Sequence, residues 1–547
     1  MKMRQSYFEI GILLALIVLA VLPAASLSLN LTLTVSQALF LSAITLACLE
    51  FARRWHRLAG VVLFGIFVAV LVAEITVSQL TGLHLNGFTL GLLLEGGAKA
   101  NIGLSLLAPA ILLLLIAVST VLAYKRPRAA KRLRLRSALL AIVVGAAATQ
   151  MAYALLFFFA VPGVMETRQK LPFFHALHPY HIERALSPFL GARPMNPFST
   201  PVIRKDTQTP TTAVSIPDHR SILFVIADSV RALDIVQNPG IAPNIVRIGG
   251  GSDSLSLAQH SASNCTHFSM FSMLTGQLPT AFGQARRRAQ PTGLTPLLQA
   301  NGYRVSSAEA LSLDWYDIST LLLAGAERHV ADSGTAEVRD DFVTDTSIDL
   351  IRSNGNKPFF HIAYYNGAHF PYGDREPLQG LTGGTAASYR EAITALDQEV
   401  GRLLTALEPQ INKDNILVIV TSDHGENLLE NGHIGHASSL NDAQTVVPFA
   451  VLNGGTAALP RSQLGIYDYI MGQLGVAAPP GDTNPIIVSN CSYEVPNGFA
   501  VLGQDWRADF LYEDGFLSPV TSPNGDLPPK AIQLRAAKYL VEAIREN

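Results

Sequence analysis

Asn415-Ile416-Leu417-Val418-Ile419-Val420-Thr421-Ser422 runs directly into Asp423-His424-Gly425-Glu426. The first part is a short, β-branched apolar run behind the polar Lys413-Asp414, the pattern of a buried strand. Open α/β sheets bind their ligands beyond the carboxyl ends of such strands. A carboxylate and an imidazole placed side by side there suit a divalent cation. Taken alone, the same residues also describe a strand ending in a polar turn. Three further stretches weigh against the plain turn.

The first is Ile222 to Ala227 followed by Asp228-Ser229-Val230-Arg231, a second apolar strand that ends in a carboxylate. The next is Ser263-Asn264-Cys265-Thr266-His267-Phe268-Ser269, which leads through Met270 to Gly276. It places a hydroxyl at the expected start of a helix, where free N–H groups and the dipole favour an anion. A threonine hydroxyl is a poor nucleophile until a metal or base lowers its pKa. An ion held by Asp228, Asp423 and His424 would do so and would polarise a phosphoryl oxygen. Helix capping is the plainer role for Thr266, and the two are compatible. The last stretch is Phe359 to Tyr372, an apolar strand that runs on to His369.

Around these sites the chain alternates strands and helices. Strands are expected at Ser221–Ala227, Tyr303–Ala308, Lys357–Tyr365, Asn415–Thr421 and Val446–Leu452. Helical patterns fill 291–300, 341–353, 386–407, 461–474 and about 530–545. That alternation predicts an α/β domain on a mostly parallel sheet over 219–547.

The N-terminal third differs in kind. The chain has 547 residues and is 49% hydrophobic, but nearly all the long apolar runs fall within 1–161. Runs at about 8–27, 34–51, 58–80, 102–124 and 137–161 are each long enough to cross a bilayer. Lys2, Arg4, Arg53, Arg54, Arg57 and seven Lys or Arg between 125 and 136 crowd alternate loops, while the other loops hold only Lys99. The positive-inside rule then makes the N-terminus cytoplasmic, and five spans deliver everything after 161 to the opposite face. Glu74 is either a functional membrane carboxylate or a residue near the outer interface. The Gly-rich loop 82–98 either dips into the interface or is a plain surface loop.

Residues 162–218, with nine prolines, form a juxtamembrane connector. His175, His178 and His181 within it are either ligands or interfacial side chains. A net charge of −2 and the absence of a basic stripe exclude a nucleic-acid partner. Cys48, Cys265 and Cys491 form neither a disulfide framework nor a zinc-thiolate pattern in the sequence. Cys265 and Cys491 lie outside the expected spans and would face an oxidising compartment. Whether they are bridged is open, because sequence does not give their separation.

Taken together, the four motifs resemble those of the alkaline phosphatase/sulfatase superfamily. The whole chain, five spans followed by an external domain, is similar to membrane-anchored phosphoethanolamine and phosphoglycerol transferases of the bacterial envelope, including those for lipid A and lipoteichoic acid. Sulfatases carry a Cys or Ser nucleophile ten residues before the Gly of a Leu-Thr-Gly. Thr266 stands ten before Gly276, and threonine is what the transferases use. Ser269 matches the internal serine, and the run Tyr389–Leu404 resembles the sulfatase helix before the metal-binding strand. The resemblance implies Thr266 as catalytic nucleophile, with Asp228, Thr266, Asp423 and His424 on a divalent metal. Zinc is favoured, manganese or magnesium being the alternatives.

His369 and His436 match histidines that face the substrate phosphate, and the alternative for each is a second metal. His433 is the near neighbour from which His436 has to be told apart. The implied reaction moves a phosphorylated headgroup, phosphoethanolamine before phosphoglycerol, from a membrane phospholipid to an envelope lipid or glycan. The implied setting is the inner membrane, with the catalytic domain periplasmic or extracellular. Asp228 departs from the usual Glu of the transferases, and Ser229 from the second Asp of sulfatases. Ester hydrolysis and a non-catalytic lipid-sensing regulator are the alternatives; the retained ligand set weighs against the regulator.

Overall fold

The computed structural model describes single positions between 32 and 74, residues 135–159 and 179–190 with single positions between them, and residues 214–547. Within the last stretch, 249–254, 332–338, 356, 371, 373–384, 414, 429–433, 477–484, 493–494, 514–515, 526 and 547 are left out. The chain divides into two compact units, Met1–Pro201 with Phe510–Leu527, and Val202–Asp509 with Pro528–Asn547.

In the first unit the expected fifth span is a helix, α1 (Leu135–Phe158). Tyr153, Ala154, Phe157 and Phe158 bury one face in a cluster with Leu33, Leu41, Leu171 and Ile182. Gly145 and Thr149 let α1 approach Ser36 and Phe40 closely. The Thr149 hydroxyl donates to the Ser36 carbonyl at 3.1 Å, and a Cβ on Gly145 would sit 3.5 Å from Phe40. Small residues at such a crossing permit close backbone approach. Leu139, Leu140, Val143, Val144 and Met151 project outward, each more than half exposed. No helix among the described residues is long and apolar enough to cross a membrane; the side chains of 135–138 and 141 are not described. The expected spans at 8–27 and 102–124, the loop 82–98, Cys48, His175 and His178 lie outside the described residues. Glu74 is helical and buried.

The second unit is built on a seven-stranded sheet: β1 (Ile222–Ala227), β2 (Leu255–His260), β3 (Arg304–Glu309), β4 (Glu327–Val330), β5 (Phe359–Tyr365), β6 (Leu417–Thr421) and β7 (Val446–Leu452). Their order is β2-β7-β6-β1-β5-β3-β4. β1 pairs in parallel with β5 and β6, as β3 does with β4 and β5, while β7 runs against β6 and β2. The mostly parallel sheet expected from the sequence is therefore present. β1, β5 and β6 are buried along their whole length, which is why they read as unbroken apolar runs.

Helices α2 (Thr266–Thr275), α3 (Asp340–Arg352), α4 (Thr385–Lys413), α5 (Leu464–Gln473) and α6 (Lys530–Glu546) follow the expected patterns. Val343, Ile348 and Ile351 of α3 and Ile393, Leu396, Val400, Leu403 and Leu407 of α4 repeat at helical spacing, and both rows bury into one core with β1, β5 and β6. A separate antiparallel pair, β8 (Ile486–Ser489) and β9 (Gly498–Leu502), completes the part used below.

Candidate active site

Neighbouring strands deliver two carboxylates to one level. β1 and β6 are in register at Ile226 and Thr421, so two residues on from each, Asp228 and Asp423 emerge side by side. The chain leaves β1 through Ser229 at φ 65°, a left-handed conformation that a serine adopts only when its surroundings enforce it. The reward is geometric: the Ser229 N–H donates to Asp423 Oδ1 at 3.1 Å, its hydroxyl to Asp228 Oδ1 at 2.9 Å, and the Val230 N–H to the Ser422 hydroxyl at 2.9 Å. Beyond β6, Gly425 passes under residue 443, where a Cβ would lie 2.1 Å from the Ala443 carbonyl oxygen.

His424 donates from Nδ1 to the Gly425 carbonyl at 3.0 Å, which fixes the tautomer and turns Nε2 inward. Nε2 lies 3.2 Å from Thr266 Oγ1, 3.4 Å from Asp423 Oδ2 and 3.9 Å from Asp228 Oδ1. The coordinating atoms of Asp228, Asp423 and His424 all lie within 4.8 Å of one another, and all three residues are buried. Asp423 Oδ2 has no hydrogen-bond partner. A buried carboxylate oxygen left without a donor is costly, and a cation between these groups would satisfy it.

Electrostatics point the same way. Burial, then the Asp228 charge, push Asp423 up to about 8. Burial opposes ionisation of Asp228 too, but the imidazoles of His369, His424 and His436 and the Tyr364 hydroxyl outweigh it and hold that carboxyl at about 2. Without a cation the pair carries one proton between them in the neutral range; a bound dication would let both ionise. The residues therefore fit a divalent metal, held by Asp228, Asp423 and His424 with Thr266 adjoining.

Thr266 is the first residue of α2. Cys265 occupies the cap position and makes no side-chain cap, so Thr266 is not the cap its position in the sequence allowed. His369 and His436 stand together, ring centres 5.0 Å apart, and His436 lies 4.1 Å from His424. Neither joins the group formed by Asp228, Asp423 and His424. Glu426 steadies both: it faces His436 Nδ1 at 3.2 Å and accepts from the Phe370 N–H at 3.3 Å. Burial opposes its charge, but His436, His369 and His424 hold its carboxyl below the usual range. His433 lies outside the described residues.

Several supporting residues carried no assigned role in the sequence reading. Tyr364 and Asn366 donate to Asp228 Oδ2 at 2.5 and 2.8 Å. Gln463 on the approach to α5 donates to the carbonyls of Ser422 and Asp423 at 2.8 and 2.7 Å and accepts from the Ala262 N–H at 2.8 Å. It thereby ties the metal-binding turn to the segment before Thr266. Tyr389 of α4 accepts from the Arg231 N–H at 3.0 Å and donates to the Ser229 carbonyl at 2.6 Å, clamping the left-handed turn. Asp397, in the same helix, receives the N–H groups of Asn244 and Ile245 at 3.0 and 2.8 Å and is structural. Tyr364 and Asn366 lie within the stretch quoted for His369, but strand alternation alone does not say which side chains turn toward a site formed by two other strands.

The arrangement of a threonine, an Asp-Asp-His cluster and a central parallel sheet coincides with a match of residues 220–466 to the sulfatase family model. The matched segment contains Asp228, Thr266, His369, Asp423, His424 and His436. Iduronate 2-sulfatase from Homo sapiens is 34% identical over 83 residues, a match that covers 15% of this chain and 15% of the relative. The fold is also that of an integral membrane lipooligosaccharide phosphoethanolamine transferase A from Neisseria meningitidis, with a TM-score of 0.53 at 14% identity, covering 86% of this chain and 96% of that one. A lipoteichoic acid synthase from Listeria monocytogenes gives a TM-score of 0.45 at 13% identity over 64% of this chain and 96% of its own.

Proposed function

We propose that the chain is a membrane-anchored transferase of the bacterial envelope. In this reading it takes a phosphorylated headgroup, phosphoethanolamine before phosphoglycerol, from a phospholipid onto Thr266 and passes it to an envelope lipid or glycan. The observation that carries the proposal is Thr266 Oγ1 at the head of α2, 3.2 Å from His424 Nε2 and beside the two aspartates. The preceding apolar runs, the outward apolar side chains of α1 and the fold shared along 86% of the chain with a membrane transferase support the anchoring. The domains in this reading are a five-span region at 1–161, a connector at 162–218 and the catalytic domain at 219–547. The N-terminus is cytoplasmic and the catalytic domain lies outside.

A divalent ion, zinc by preference, held by Asp228, Asp423 and His424 would lower the hydroxyl pKa of Thr266 and draw charge from a phosphoryl oxygen. The Thr266 oxygen attacks phosphorus, losing its proton, as the bond from phosphorus to the glyceride oxygen breaks. His369 and His436 bind the phosphoryl oxygens or return a proton to the departing alkoxide. An acceptor hydroxyl then attacks the same phosphorus; it loses its proton and Thr266 regains one. Both half-reactions balance, and the headgroup is stored on the enzyme between donor departure and acceptor arrival.

Hydrolysis of a phosphate or sulfate ester is the second reading, favoured by the sulfatase match and by the human sulfatase relative. Intact-mass measurement with donor phospholipid and no acceptor separates the two. Transfer predicts a stable headgroup adduct on Thr266, absent in Thr266→Ala and partly retained in Thr266→Ser. Transfer by Thr266→Ala at an appreciable rate would overturn the covalent route.

A further inference from the structure

The second unit holds another cluster of ligating side chains, one that the proposed reaction does not use. Cys265, His267 and Cys491 are all buried, and their coordinating atoms lie within 4.8 Å of one another. The backbone builds this meeting. Ser489 donates its N–H to the Ala262 carbonyl at 2.8 Å, the Asn264 N–H donates to Ser489 at 3.3 Å, and the Cys491 N–H donates to Asn264 Oδ1 at 2.7 Å. The end of β8 is thus laid along the residues that precede α2. His267 is fixed twice over. Its ring stacks on Tyr316 at 4.3 Å, with Phe268 and Phe282 against it, and Nε2 donates to the Ser492 carbonyl at 2.9 Å.

That hydrogen bond leaves Nδ1 as the nitrogen with a lone pair, and Nδ1 is buried without a partner. A ring nitrogen donating to a backbone carbonyl while the other is left for an ion is how metal-bound histidines are usually held. The two cysteines are free rather than bridged. A disulfide would supply nothing to Nδ1, whereas an ion satisfies both sulfurs and the imidazole together. Sulfurs about 2.3 Å and a nitrogen about 2.0 Å from one centre also stand closer together than the limit observed here.

We propose that Cys265, His267 and Cys491 form a structural zinc site beside the nucleophile, chemically distinct from the Asp228, Asp423 and His424 cluster. Thiolates and imidazole select a thiophilic ion, zinc or cuprous copper, over the hard cations that carboxylates accept. Charge decides between them. Zinc binding displaces two thiol protons, and a dication with two thiolates and a neutral imidazole sums to zero, whereas cuprous copper would leave a buried negative charge. The Ser263 hydroxyl, 3.6 Å from Cys265 Sγ, stands beside the cluster for the fourth position. The site would pin residues 489–492 to the first turn of α2, one residue from Thr266.

The test uses the full-length protein, reduced and stripped of metal, titrated with cobalt(II) as a spectroscopic stand-in for zinc. The expected result is a thiolate-to-cobalt charge-transfer band in the wild type, kept in Asp423→Ala and lost in Cys491→Ser. Metal analysis after zinc loading should fall by one equivalent in each variant. Should Cys491→Ser fail to fold, alkylation of the wild type serves instead: zinc protects Cys265 and Cys491, and a chelator exposes them. The proposal is overturned by a wild type with reduced thiols and no charge-transfer band. It is equally overturned by a band that disappears in Asp423→Ala but survives in Cys491→Ser, by tighter loading with cuprous copper than with zinc, or by a purified protein whose two cysteine peptides are joined by a disulfide.

Discussion

His436 and His433 lie three residues apart in sequence; His436, the one of the two among the described residues, stands against the nucleophile's surroundings. It faces the buried Glu426 carboxylate, packs on His424 and pairs with His369. Removing a positioned acid or phosphate-binding group slows turnover by roughly 10²–10⁴-fold. His436→Ala should fall in that range under steady-state assay with phospholipid donor, and His433→Ala should stay close to wild type. The opposite ranking would transfer the role to His433. The resemblance to the transferases singles out His436, which stands thirteen residues past Asp423 where they keep a substrate-phosphate histidine. Glu426 belongs to the same tetrapeptide as Asp423, but nothing in the sequence says that its side chain turns toward His436.

At the scale of elements, the site depends on two tight passages of backbone. Tyr389→Phe removes a hydroxyl that serves two buried groups, the Arg231 N–H and the Ser229 carbonyl. Each group left unpaired costs about 1–3 kcal/mol, and the left-handed Ser229 loses its clamp. Urea unfolding should show a loss of about 2–4 kcal/mol, with turnover reduced further because Asp228 adjoins the loosened turn. Gly425→Ala sets a methyl 2.1 Å from the Ala443 carbonyl oxygen and 2.9 Å from Arg231 Cβ. Both are packed groups, so the loop carrying His424 has to shift. A loss of about 1–3 kcal/mol together with weakened metal uptake is expected; metal affinity equal to wild type would show that the loop absorbs the methyl without moving its ligands.

The central strands were legible because β1, β5 and β6 are buried on both faces and therefore consist of apolar runs. β2 and β4 carry no such signal. Leu255–His260 and Glu327–Val330 form the two sheet edges and are mostly half-exposed, so sequence alternation there is weak. Thr266, Asp228, Asp423 and His424 were readable because each abuts a strand end or helix start. Tyr389 and Gln463 were not, because they reach the site from α4 and from the residue before α5, whose packing only the fold decides.

For the molecule as a whole, the two aspartates make metal and pH act on stability through one linkage. In the metal-free protein Asp423 titrates near 8, against about 3.9 in an unfolded chain. A carboxyl raised by folding favours the native state when protonated, so its contribution is present at low pH and is lost as pH rises from about 4 to 8. Asp228 acts in the opposite sense: held at about 2, it contributes above about 4 and loses that only in stronger acid. Between those limits Asp423 is the one of the pair that changes. A bound dication lets both ionise and removes the penalty, and it stabilises the native state by about 2.7 kcal/mol at a hundred times its dissociation constant. The difference in Tm between metal-loaded and chelated protein should therefore widen from about pH 5 to pH 8. Asp423→Asn, which cannot ionise, should abolish both the widening and the response to chelator at this site. Calorimetry across that range decides the matter: a gap that stays constant or narrows with rising pH would mean that Asp228 and Asp423 do not share one cation.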